Sequence, residues 1–357
     1  MKKNQFNYES KANGFIEKFL DDEFFNTLKE DYGEFTDWYK KAVNDKNKSS
    51  FYWTNRGKVT AFLGLKTEDE EIELKGKTLP KEKRIKMTTI KSNTDIPAFS
   101  ETAFYAAFKT AEDKGIHKVY FTVIPDTAPK KKLKEIAESY GFIDMGEVNI
   151  DRKNPEILME KDLRKRTLEY KSSYPRLILG APKAARIVPF DAEYHDNYLQ
   201  DADLKHTIQV RNYRKMGIQK AYVHRQDGIL ELEQGDIIFP YRKSKTNSWN
   251  KSAITGFGTV IKHYRKGRDY NTFEEFQSLV KKYHCFDDEE ILSEWFTRAK
   301  YLTFYAWTKA FGECKNIPFS KLNCWKILGT TKAYMSSVQL TNEQTKKILK
   351  EGGIKYV

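Results

Sequence analysis

The sequence predicts an α/β protein of two domains: a mixed sheet flanked by helices, then a β-rich barrel with peripheral helices. Three observations predict it. The chain has 357 residues, more than one hydrophobic core usually serves. Apolar residues alternate between strand and helix spacing up to residue 160 and follow mainly strand spacing beyond 186. Charge divides unevenly. Residues 1–165 carry 31 Lys and Arg against 29 Asp and Glu, whereas 166–357 carry 32 against 21. The basic excess therefore belongs to the second half, where it favours a polyanion partner.

Hydrophobic residues at 39% and aromatics at 14% supply two cores and exclude a disordered chain. No run approaches the ~18–20 apolar residues of a membrane span. The opening residues, Met1 to Phe6, lack the apolar core of a signal peptide, so a cytoplasmic protein with no membrane partner is expected. Cys285, Cys314 and Cys324 are too few and too far apart for a disulfide framework or a metal knuckle. The six histidines show no ligand spacing, and no metal is expected.

The first domain is placed at 1–165. Phe24, Phe25, Phe35, Trp38 and Tyr39 give helical stripes over 21–31 and 35–43. Strands at 51–54 and 58–65 flank Asn55-Arg56-Gly57, a hairpin signature because Asn and Gly tolerate positive φ. A strand follows at 84–91. Ala103, Phe104, Ala107, Phe108 and Ala111 mark a helix over 99–114, closed by Gly115. Then come a strand at 117–124, a helix at 130–140, and strands at 142–150 and 156–160. Residues 166–185 are polar, contain Pro175 and Pro182, and read as a linker. The second domain, 186–357, has strands expected at 186–189, 220–224, 236–241, 253–262 and 301–307. Its helices are expected at 273–283, 288–297 and 341–351, the last with Thr341 as N-cap.

The strand 118–125, the following helix and Gly141-Phe142 resemble the second half of a GNAT N-acetyltransferase. Phe62-Leu63-Gly64-Leu65, Ile187-Val188-Pro189, Lys220-Ala221-Tyr222 and Gly235-Asp236-Ile237-Ile238-Phe239-Pro240-Tyr241-Arg242 extend the resemblance over most of the chain, to a fusion of a GNAT domain with a PUA-like domain. The resemblance implies fourth and fifth strands that splay apart, with acetyl-CoA in the gap and its acyl group passing directly to an amine. On the cofactor side it implies Met87, Thr88, Thr89, Ile90 and Lys91 on the fourth strand. Ser100 and Glu101 would follow at the next helix, with Thr122 on the fifth strand and Lys131 on the helix after it. The amine must lose a proton, which calls for a carboxylate or a water relay. Glu68 is the candidate base and Tyr140 the candidate acid. Glu68 also heads the run Glu68-Asp69-Glu70-Glu71, which suits a solvated face.

Two departures stand out. Residues 92–101, where the pyrophosphate loop falls, contain no glycine, and Pro97 lacks a donor N–H. The position of the usual acid tyrosine is Ala137, with Tyr140 three residues later. They support a second reading, a scaffold that binds nucleic acid or a partner without catalysis.

In the second half, basic and aromatic residues interleave in three clusters: Arg211, Tyr213, Arg214 and Lys215; Arg242, Lys243, Lys245 and Trp249; and Lys262, Arg265 and Arg268. Cations hold phosphates and planar rings stack on bases, so RNA or tRNA is the expected partner, with DNA as an alternative. PUA-like folds can also hold a flipped base, which makes a modified-base reader a third reading.

Overall fold

A computed structural model describes the chain except for residues 1–5, 94–97, 149–154, 178–183, 200–216, 226–231, 245–251, 284–288, 312–314, 330–336 and 355–357. The described residues divide into two compact units, one running through Arg176 and one from Leu177 onward. Residues 166–176, placed in the linker by composition, belong to the first unit.

The first unit runs β1 (Phe6–Lys11), α1 (Asn26–Asp31), α2 (Phe35–Val43), β2 (Lys48–Asn55), β3 (Lys58–Leu74), β4 (Lys77–Ser92), α3 (Phe99–Asp113), β5 (Lys118–Val123), α4 (Ala128–Ser139), β6 (Ile143–Val148), β7 (Glu156–Asp162) and α5 (Tyr170–Ser173). Seven strands form one mixed sheet in the order β1-β2-β3-β4-β5-β7-β6. Only β4 and β5 pair in parallel, because α3 crosses between them. At the β2–β3 turn Arg56 (φ 52°) and Gly57 (φ 82°) take the left-handed conformations that a tight hairpin needs.

Period-two alternation gives the sheet two different faces. On one, Phe62 and Tyr52 meet Phe15, Phe25, Phe35 and Tyr39 from the α1–α2 region in an aromatic core. On the other, α3 buries Phe104 against Phe121 and Phe142, while Phe99 meets Trp53 edge-on. Small residues on α3 (Ala103, Ala107, Ala111) let the helix lie close to the strands. The β3–β4 hairpin extends well past the predicted 58–65. Its far end curls over β5 and β7, where Leu74 and Leu79 pack with Tyr120, Val148 and Leu158 and Lys75 N–H bonds Glu147.

The second unit contains β8 (Ala185–Phe190), α6 (Ala192–Tyr198), β9 (Gln219–His224), β10 (Ile237–Arg242), β11 (Ala253–Ile254), β12 (Gly256–Arg265), α7 (Phe273–Val280), α8 (Glu289–Arg298), β13 (Tyr301–Ala310), β14 (Ile317–Pro318), α9 (Phe319–Cys324), β15 (Val338–Leu340) and α10 (Asn342–Glu351). Strand β10 is its hub, parallel to β8 and antiparallel to β11 and β12; β13 and β9 continue from β12, and β15 adds to β8. Among the described residues no ladder joins β9 to β8 or β15. Among the described residues the sheet does not close, so the β-rich fold stands and the expected barrel is not shown. Capping boxes start α7 (Thr272 with Glu275) and α10 (Thr341 with Gln344), each satisfying two end N–H groups.

Candidate active site

Strands β4 and β5 part company midway. They pair only where Arg84, Ile85 and Lys86 meet Lys118, Val119 and Tyr120. Beyond that point β4 stays bonded to β3 through Ser92, and β5 stays bonded to β7 through Val123. The result is a wedge, closed at Lys86 and Tyr120, with one edge of β4 lacking a strand partner from Met87 onward among the described residues. A bulge at Thr88 marks the opening, since Gly64 faces Thr89 while Leu65 faces Met87. Bulges re-aim a strand. Gly64 makes this one possible, because a Cβ there would sit 2.7 Å from Thr88 Oγ1 and 3.1 Å from Phe15. Thr88 Oγ1 is buried with no partner among the described residues.

A charged network fills the closed end. Arg84, 2% exposed, donates from Nε to Glu160 at 2.9 Å and from Nη1 to the carbonyls of Glu70, Pro80 and Glu82. Lys118 holds the other Glu160 oxygen at 2.5 Å. Glu68 is 8% exposed, whereas Asp69, Glu70 and Glu71 are exposed, so the acidic run is not uniformly solvated. Its carboxylate accepts from Lys66 Nζ at 2.8 Å and from the Tyr120 hydroxyl. Burial pulls the Glu68 pKa up, but the Lys66 and Tyr120 hydrogen bonds and the Lys86 charge outweigh it and hold the group below its ordinary value. Burial, then the bond to Glu68, pushes the Tyr120 hydroxyl pKa up.

The other cofactor-side residues distribute along the wedge and beyond it. Met87 is buried; Thr89, Ile90 and Thr122 are half-buried past the last paired residues. Lys91 turns toward α1, donating to the Phe24 carbonyl at 2.6 Å and to Thr27 Oγ1. There it lines a cavity of about 510 Å³ with Glu23, Thr27, Asn55, Lys58 and Asn93. Ser100 and the buried Glu101 sit in the first turn of α3, whose N-cap Ala98 is left-handed (φ 55°). Lys131 is exposed on α4.

Tyr140 is not beside Glu68. It caps α4 fully buried, against Phe104 on the α3 side, while Glu68 and Tyr120 occupy the opposite face. Its carbonyl accepts from Lys161, a lysine that sequence reasoning missed. Lys161 also donates to Ser172 O at 2.7 Å, and burial lowers its pKa to about 7. The tyrosine that does reach Glu68 is Tyr120. Only the alternation within β5 signals this, since Tyr120 falls between Val119 and Phe121 of the α3 face.

Of the residues expected to bind nucleic acid, Arg211, Tyr213, Arg214, Lys215, Lys245 and Trp249 lie outside the described residues. Arg242 is buried and grips Asp196 with both arms at 2.7 and 2.9 Å, and His195 bonds Asp196 and Thr255 beneath it. That pairing makes Arg242 a structural residue, not a surface phosphate ligand. Lys243 pairs with Asp191 at 2.9 Å. Lys262, Arg265 and Arg268 are exposed on β12 and the turn after it. No group of three or more metal-binding side chains occurs, and no helix is long and apolar enough to cross a membrane, among the described residues.

No family model matches the sequence, and no curated protein matches it. Solved structures give distant likenesses. An Arabidopsis thaliana NAA60 in complex with acetyl-CoA is 13% identical, over 45% of this chain and 100% of its own, with a TM-score of 0.32. An acyl-CoA N-acyltransferase from Pseudomonas aeruginosa is 16% identical, over 44% and 99%, at 0.30. A mutant ASCH protein from Zymomonas mobilis is 11% identical, over 46% and 94%, at 0.31. At such values these likenesses carry no weight for activity, and the wedge stands on its own ladders.

Proposed function

We propose that the first unit is a GNAT-like N-acyltransferase that takes its acyl group from acyl-CoA. The observation that carries this reading is the unpartnered edge of β4 from Met87, opposite the diverging β5. Such an edge offers backbone N–H and C=O groups to an extended ligand, as any open strand does. The amide-bearing pantetheine arm of CoA has matching chemistry. Acetyl-CoA is the proposed donor, bound along Met87 to Lys91 with its thioester toward Lys86 and Tyr120.

The amine nitrogen adds to the thioester carbonyl, the C–S bond breaks, and the nitrogen's proton leaves through Glu68 or with the departing thiol. Glu68 also holds Tyr120 and Lys66 in place. Calorimetric titration of the whole chain with acetyl-CoA tests the reading; no heat at millimolar ligand rejects it.

The second unit we propose to be a PUA-like module that brings the enzyme to RNA or to an RNA-bound amine. Its support is the basic excess of 166–357 and the exposed Lys262, Arg265 and Arg268. RNA binding that weakens steeply with salt is expected, and salt-independent or absent binding rejects it. The glycine-free segment 92–101 favours a second reading, a non-catalytic adaptor. RNA binding without acetyl-CoA binding would select it.

A further inference from the structure

Three lysines stand level across the first sheet. Lys48 on β2 faces Lys66 on β3, Lys66 faces Lys86 on β4, and Lys86 is level with Tyr120 on β5. Opposed side chains on one face of a sheet lie only ~5 Å apart, and like charges placed so are destabilising. Such a row persists where anions serve it. Two of the lysines are served by the protein. Lys66 bonds Glu68 at 2.8 Å and lies 3.7 Å from Glu70; Lys48 lies 3.8 Å from Asp45 and 4.8 Å from the Trp38 ring. Lys86 is different. Half-buried, it has no carboxylate within 4.0 Å among the described residues; its ammonium lies 5.6 Å from the centre of the Tyr120 ring and acts on Glu68 through charge alone.

Position gives this charge its meaning. Lys86 and Tyr120 are the last paired residues before the wedge opens, so an ammonium with no carboxylate in ion-pair range stands where the donor's acyl carbon and the acceptor's nitrogen would meet. Glu68 lies beside it, on the same face as Lys66 and Lys86. One carboxylate next to two lysines suits a ligand carrying a positive and a negative group a few bonds apart.

We propose that Lys86 binds an anionic group on the acceptor, which is therefore an amine bearing a carboxylate or phosphate close to its nitrogen. The acceptor's ammonium lies toward Glu68 and its acid toward Lys86. This inference rests on the acyl-transfer reading of the wedge and narrows its acceptor class.

Calorimetry on the full chain tests it with matched ligands: phosphoethanolamine against ethanolamine, and β-alanine against propylamine, each with and without saturating CoA. The acid-bearing member of at least one pair is expected to bind roughly tenfold tighter or better. The pair that shows the preference identifies the acid as phosphate or carboxylate. Lys86→Gln is expected to abolish the preference and Lys86→Arg to keep it. Because the substitution removes the repulsion from Lys66 and the attraction to Glu68 together, Lys86→Gln should melt close to the parent. Equal affinities, no binding of any ligand, or a preference that survives Lys86→Gln overturns the inference. CoA binding without an acid preference rejects the anion site alone. A preference without CoA binding rejects acyl transfer and leaves the anion site standing.

Discussion

The two halves of β4 differ in what lies beyond their outer edge. From Arg84 to Lys86 the strand is held on both sides, and the Arg84 side chain joins a buried ionic cluster with Glu160 and Lys118. From Met87 to Ser92 it is held by β3 alone, with a bulge, an orphaned threonine hydroxyl and a glycine neighbour at the transition. One strand is thus clamped along its first half and open along its second.

Breaking the anchored half should have the largest effect. Arg84→Met leaves Glu160 buried with Lys118 as its remaining recorded partner, and is expected to cost about 3 kcal/mol in urea unfolding. The double variant Arg84→Met, Glu160→Met should recover much of that loss, since a buried pair and its apolar replacement are often close in stability.

At the junction, Glu68→Gln should reduce acyl transfer by about 10²-fold with acetyl-CoA affinity unchanged. An unaltered rate would return Glu68 to a purely structural role. Because the folded-state pKa of Glu68 is depressed, its stabilisation is present above the ordinary carboxylate range and is lost as pH falls through the folded value. The parent should therefore lose more stability on acidification than Glu68→Gln, as followed by circular dichroism.

On the open half, Gly64→Val forces Thr88 aside and is expected to cost about 1–3 kcal/mol. It should also weaken acetyl-CoA binding, whereas Arg84→Met in its remaining folded fraction should not.

A smaller effect tests the ground under the anchored half. Lys161 titrates near 7 when folded and near about 10.4 when unfolded, so between those values the unfolded chain binds more protons. Stability should rise by about 1 kcal/mol or more from pH 7 to pH 9. Lys161→Met should flatten that slope.

Local signals made much of this legible in the sequence. The hairpin at Asn55-Arg56-Gly57 and the helix Phe35–Val43 need only neighbouring residues, and both stand where their patterns place them. Long-range pairing hid the rest. The run Glu68-Asp69-Glu70-Glu71 reads as solvated charge, yet it continues β3, because alternation turns Glu68 inward and Asp69 outward. No spacing rule links Lys48, Lys66 and Lys86; only register does. Tyr140 drew notice for its place before Gly141, whereas burial against Phe104 puts it on the face opposite Glu68. Arg242 resembled a surface cation because its partner Asp196 lies on α6, a helix too short to announce itself.

The difference between the halves of β4 is tested most directly by amide hydrogen exchange with and without acetyl-CoA. Bound ligand should add protection along Met87 to Lys91 and leave Arg84 to Lys86 unchanged. Saturating acetyl-CoA that protects neither half, or both alike, would contradict the account.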